Sequence, residues 1–190
     1  MRDANIPARA RAILAFWIDE IGPAGWYAPP DPSLDAEVAA RFGSDLTAAA
    51  AGQRRAWLTR AQSALAAMIL LDQFPRHIHR GTGASFACDP QARAAAAEAI
   101  RRGYDLEIPE PERQFFYLPL MHSEVLADQD RCVHLIRQRL RRTGRENLSH
   151  ARSHREVIRR FGRFPSRNAP LGREDSAAER AYRAQGGYMG

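Results

Sequence analysis

The chain has 190 residues, with 28 basic and 22 acidic side chains and a formal net charge of +6. That length suits one domain with a core of its own, spanning 1–190, and the 45% hydrophobic content excludes wholesale disorder. Every basic residue is an arginine, so chemistry that needs a lysine, such as a Schiff base or a P-loop, is excluded.

Helical periodicity recurs along the chain, and alternating β-branched runs are absent. A first helix is predicted over Pro7–Ile21, with Ile13, Trp17 and Ile21 spaced by four, stopping at Gly22-Pro23. A connection holding Trp26, Pro29, Pro30 and Pro32 leads to a second helix from Ser33, which places Leu34, Val38, Phe42 and Leu46 on one face. A third is predicted over Arg54–Gln73, ended by Pro75. Its apolar end, Met68 to Leu71, marks it as the central buried helix. Asp89-Pro90 opens a fourth helix as N-cap and first-turn proline, and Gly103 closes it. A fifth starts at Pro109-Glu110-Pro111-Glu112. A break at Pro119 is expected to turn His122 and Glu124 inward before the helix resumes through Gln129 and Ile136. A sixth covers Asn147–Phe161 and stops at Gly162. In the last, Ser176 and Glu179 form a capping box, and Gly186-Gly187 ends it. Seven helices with short connections make an all-α domain.

Cys88 and Cys132 form no framework and no CxxC, and read as reduced thiols of a cytoplasmic protein. No apolar run reaches the ~18 residues of a membrane span.

Several ordered motifs resemble the bacterial domain of unknown function 924 family. They are Phe16-Trp17, Leu71-Asp72-Gln73-Phe74-Pro75-Arg76, Leu118-Pro119-Leu120-Met121-His122-Ser123-Glu124, His154-Arg155-Glu156-Val157-Ile158 and Phe161-Gly162-Arg163-Phe164-Pro165. Arg167-Asn168, Leu171-Gly172-Arg173 and the terminal Gly-Gly-Tyr continue the likeness, from about Ile13 to Tyr188. The resemblance implies antiparallel helix pairs in a tetratricopeptide-like, right-handed array. It implies no activity. The chain departs from the pattern at His77 and Ser166, where the family tends to have asparagine and histidine.

His150 and His154 share a helix face, but Ala151 stands where a zinc-protease helix carries its glutamate, so no metal or other cofactor is expected. Thirteen arginines against two acids between Arg131 and Arg173 suggest a nucleic-acid surface. Four of them cluster at a helix C-terminus, where cations are favourable anyway, so nucleic acid is not expected. Buried polar groups must be paired, and Asp72 with Arg76, and Glu124 with Arg163 or Arg167, are the natural candidates.

The favoured reading is an inter-helix pocket for a small anionic or polar molecule. His122, Glu124 and His154 would supply acid–base chemistry; Asp72, Arg76, Arg163, Arg167 and Asn168 would bind the ligand. Whether the protein is an enzyme stays open. The alternative is a helical-repeat module that binds a peptide or protein partner and catalyses nothing.

Overall fold

A computed structural model describes residues 5–188, and among them every regular element is a helix or helical turn. Helix α1 (Ala8–Leu14) passes into a π-helical turn, Ala15–Ile21, and then into α2 (Gly22–Trp26). A second π turn occurs later. Helix α4 (Ala61–Met68) widens into a π turn, Ile69–Gln73, and continues as α5 (Phe74–Ile78). The stop expected at Gly22-Pro23 is present, because Gly22 at φ +65° and ψ −179° interrupts the helix before Pro23 opens α2. The stop expected at Pro75 is corrected: the chain stays helical through that proline. Proline lacks the amide and crowds the carbonyl four residues back. A widened turn just before Pro75 carries the helix past that obstacle, and such turns recur at functional sites.

The other elements follow their local signals more closely. Helix α3 (Pro32–Ala50) starts where the Asp31 carboxylate accepts from the Ser33 amide at 2.8 Å. The expected third helix loses its start, because Arg55–Thr59 is a separate 3-10 turn that ends at an extended Arg60. Helix α6 (Asp89–Arg101) has no side-chain cap, so Asp89 does not serve as the expected N-cap; two arginines engage its carboxylate instead. The short α7 (Tyr104–Glu107) supplies Asp105, which is fully buried against the Tyr117 hydroxyl and Arg139.

The expected interruption near Pro119 is present but displaced. Pro119 lies in the first turn of α8 (Leu118–Met121), where a proline costs little. The break follows it, at 122–125, before α9 (Leu126–Arg139). Buried Gln129 holds that break in shape, donating to the carbonyls of Met121 and Ser123 at 2.6 and 2.7 Å. The Ser123 hydroxyl accepts from the Val125 amide and donates to Asp128.

Helices α9 and α10 (Arg145–Phe161) pack as a hairpin over a short connection. Gly162 ends α10 at φ +69°, a conformation that glycine adopts without penalty. Gly162→Ala is expected to destabilise the fold by ~1–2 kcal/mol, read from urea unfolding; an unchanged midpoint would deny the cap its role. Helix α11 (Ala177–Ala184) carries the full Ser176/Glu179 capping box.

One continuous core runs from Ile6 to Ala151, centred on Phe16, Trp17, Phe42, Phe74, Phe115, Phe116 and the fully buried Met68 to Leu70. A small second cluster joins Val157, Ile158 and Phe164 to Phe161, Tyr182 and Tyr188, and so fastens the C-terminal segment onto α10. Cys88 and Cys132 are buried and not joined in a disulfide. No helix among the described residues is long and apolar enough to cross a membrane.

Candidate active site

The second π turn and the break after α8 bring Asp72 and His122 together. Asp72 is 1% exposed, and its carboxylate receives the His122 Nδ1–H at 2.8 Å. Gln73 donates to the other oxygen. Arg76 stands one helical turn on, 3.6 Å from the same carboxylate, and also donates to the Asp72 carbonyl. Burial pushes the Asp72 carboxyl up, but the positive groups and donors around it outweigh burial and hold it down at about 2. It is therefore an anion at any ordinary pH. Burial also disfavours the His122 cation, and this outweighs the attraction of Asp72, so its pKa falls below the usual value. The pair is carboxylate plus neutral imidazole. Nδ1 carries the proton, which leaves Nε2 with its lone pair.

His154 repeats this state by other means. Its Nδ1–H donates to the His150 carbonyl at 2.9 Å, so its Nε2 is also unprotonated. The two imidazole rings lie 6.2 Å apart. Burial, with smaller contributions from nearby positive charge, lowers the His154 pKa to about 4.

Both rings line a cavity of about 480 Å³, within the range of small-molecule sites. Its wall includes Trp26, Tyr27, Gln73, Arg76, Glu146, Asn147, His150 and Tyr188. Tyr27, Gln114 and Asn147 form one hydrogen-bonded cluster on the far side. Trp26 is fixed by its indole N–H on the Trp17 carbonyl at 2.7 Å and by an edge contact with Phe115.

Of the residues expected at a site, Asp72, Arg76, His122 and His154 are brought together here. Arg167 sits just behind. It donates to the His122 carbonyl and to Asp89 at 2.8 and 2.9 Å, and its guanidinium lies over the Phe86 and Phe164 rings. Burial lowers its pKa, with Asp89 opposing. Arg167 and Glu124 line a neighbouring cleft of about 320 Å³ that shares His122 with the first. The expected pairing of Glu124 with Arg163 or Arg167 is corrected: Glu124 takes Arg173 in a two-pronged bridge at 2.9 Å and accepts from the Phe164 amide. Arg163 instead grips Glu179 of the capping box at 2.7 Å, and Asn168 donates to Asp175. Neither Arg163 nor Asn168 lines a cavity beside the histidines.

Two other features of the sequence are engaged within the fold. His77 binds Asp35 at 2.7 Å and meets the Trp17 ring edge-on, which ties α5 to α3. Six of the 13 arginines between Arg131 and Arg173 form ion pairs, among them Arg139 with Asp105 and Arg155 with Asp130. The basic block of the sequence is thus partly neutralised, in five of the six pairs by acids from outside it. Among the described residues, no three His, Cys, Asp or Glu side chains gather as a metal site.

Another cleft, about 450 Å³, lies beyond the π turn, floored by Ala67, Leu70, Leu71 and Ala95 and rimmed by Arg54, Arg55 and Arg102. It has no histidine.

Comparison with known proteins agrees with this architecture. The family model for a bacterial protein of unknown function, DUF924, matches residues 13–187. A solved structure, the protein of unknown function ATU0120 from Agrobacterium tumefaciens, is similar at 44% identity and a TM-score of 0.86. The match covers 94% of this chain and 98% of that one. No curated protein matches the chain. The chain therefore belongs to the DUF924 family of bacterial proteins.

Proposed function

We propose that the cavity binds a small polar molecule and removes a proton from it, with His122 as general base. The observation that carries this reading is the Asp72–His122 pair at 2.8 Å. A buried carboxylate fixes the Nδ1–H tautomer, orients the ring and stabilises the imidazolium that forms when Nε2 takes a proton. His154, neutral and in the same tautomer, adds a second acceptor.

The arrangement favours a ligand that presents hydroxyl or amino groups over a simple anion. Two unprotonated imidazole nitrogens, the Glu146 carboxylate and the amide oxygens of Gln73 and Asn147 are acceptors. Arg76 is the single arginine in the lining, and it already serves Asp72 and Asp89. A cavity of about 480 Å³ also suits a small molecule better than a peptide strand.

The test is a thermal-shift and ligand-observed NMR screen of polyols, amino alcohols, amino acids, nucleosides, carboxylates and phosphates. Wild type is compared with His122→Gln, whose amide can still donate to Asp72. We expect a hydroxyl- or amino-bearing compound to raise the wild-type midpoint and leave the variant's unmoved. A screen in which nothing binds, or in which only anions bind, would overturn the reading.

A further inference from the structure

We propose that the Tyr188 hydroxyl is a proton-relay group of this cavity, linking buried His154 to exposed His150. The proposal rests on the reading of His154 as a proton acceptor.

The Tyr188 hydroxyl lies 2.8 Å from His150 Nδ1 and 3.3 Å from His154 Nδ1. Since His154 Nδ1 carries a proton, which it chiefly donates to the His150 carbonyl, the Tyr188 oxygen can accept a share of it. The Tyr188 O–H is then free to donate to His150 Nδ1. The result is one directed line, His154 N–H to Tyr188 O–H to His150, from a residue 8% exposed to one on the surface.

The tail is shaped to deliver this hydroxyl. A Cβ on Gly187 would stand 2.4 Å from the Tyr182 ring, so only glycine lets the backbone lie flat on that ring. The Tyr182 hydroxyl donates to the Tyr188 carbonyl at 3.3 Å, and Tyr182 is itself packed on Phe161. The Tyr188 ring meets His154 edge-on at 5.2 Å. Burial raises the Tyr188 pKa, which keeps it a neutral hydroxyl able to donate and accept at once.

The step balances. When His154 takes a ligand proton at Nε2, it becomes an imidazolium. Its Nδ1 proton passes to the Tyr188 oxygen as the Tyr188 proton passes to His150 Nδ1. Tyr188 ends unchanged, His154 ends neutral with its proton on Nε2, and the His150 cation releases a proton to water.

The measurement is solvent exchange of the His154 Nδ1–H, read by NMR on histidine-labelled protein without ligand. A relay makes this proton exchange quickly although it is buried. Tyr188→Phe, which keeps the ring and removes the hydroxyl, is expected to slow exchange ~100-fold, the low end of what one positioned acid–base group contributes. His150→Ala, a surface change, should slow it too. His122→Gln should leave it at the wild-type rate, so the relay stands or falls apart from the role given to His122. Unchanged or faster exchange in both Tyr188→Phe and His150→Ala would overturn the proposal, since a mere cover loosens when trimmed.

Discussion

Asp72→Ala is expected to cost ~3–5 kcal/mol of folding stability, the range for removing one partner of a buried charge pair. Asp72 is 1% exposed and is the meeting point of His122, Arg76 and Gln73. Its removal strands the His122 N–H and one face of Arg76 and leaves a void beside the π turn. Arg76 keeps Asp89 as a partner at 3.1 Å, so the lower part of that range is the better expectation. Urea unfolding at pH 7 reads the loss directly. Asp72→Asn separates structure from chemistry. The amide oxygen can still accept from Nδ1, so the fold should lose less, but the negative charge that supports the imidazolium is gone. Any ligand-proton abstraction should then fall much further than stability does. An Asp72→Ala protein within ~1 kcal/mol of wild type would deny Asp72 its role in holding these elements together.

Much of this was legible in the sequence, where the signal is local. Ser176 announces its helix by cap chemistry, and Gly162 announces an end, because each acts on backbone within one turn. The all-α class follows from periodicity that the core then uses, as in Val38, Phe42 and Leu46 of α3. The π turns were not legible. The apolar pattern of Ile69 to Leu71 is the same for an α or a π turn, and Pro75 read as a stop. Partner choice was not legible either. The sequence offered Glu124 the candidates Arg163 and Arg167, and only the fold decides that Arg173 takes it and leaves Arg163 to Glu179. The half of the cavity built from Tyr27 and Tyr188 was missed because those residues come from near opposite ends of the chain. His150 carried the one available hint, its four-residue spacing from His154 on a shared helix face.

Stability should fall as pH drops from about 6.5 towards 4, and the fall should begin before carboxylates start to protonate. His154 has a folded pKa of about 4 against an ordinary value of 6.5, and burial is the main cause. His122 is shifted in the same direction, also by burial. Between those pH values the unfolded chain binds protons that the folded chain refuses. Stability therefore rises with pH across the window and is fully present above it. For His154 alone the shift corresponds to at most ~3 kcal/mol. Asp72 contributes in a separate window. Its folded pKa is depressed to about 2, so its share is present above the ordinary aspartate range and is lost only as pH falls towards that value. Urea unfolding at pH 7.5, 6.5, 5.5 and 4.5 should show the histidine slope before the carboxylate one begins. His154→Gln, whose side-chain amide can still donate to the His150 carbonyl, should flatten the upper window and leave the lower one intact. A wild-type stability that stays level from pH 7.5 to 4.5 would mean that His154 is hydrated and able to charge in the folded protein. The two neutral acceptors would then be lost, and with them the preference for a hydroxyl- or amino-bearing ligand.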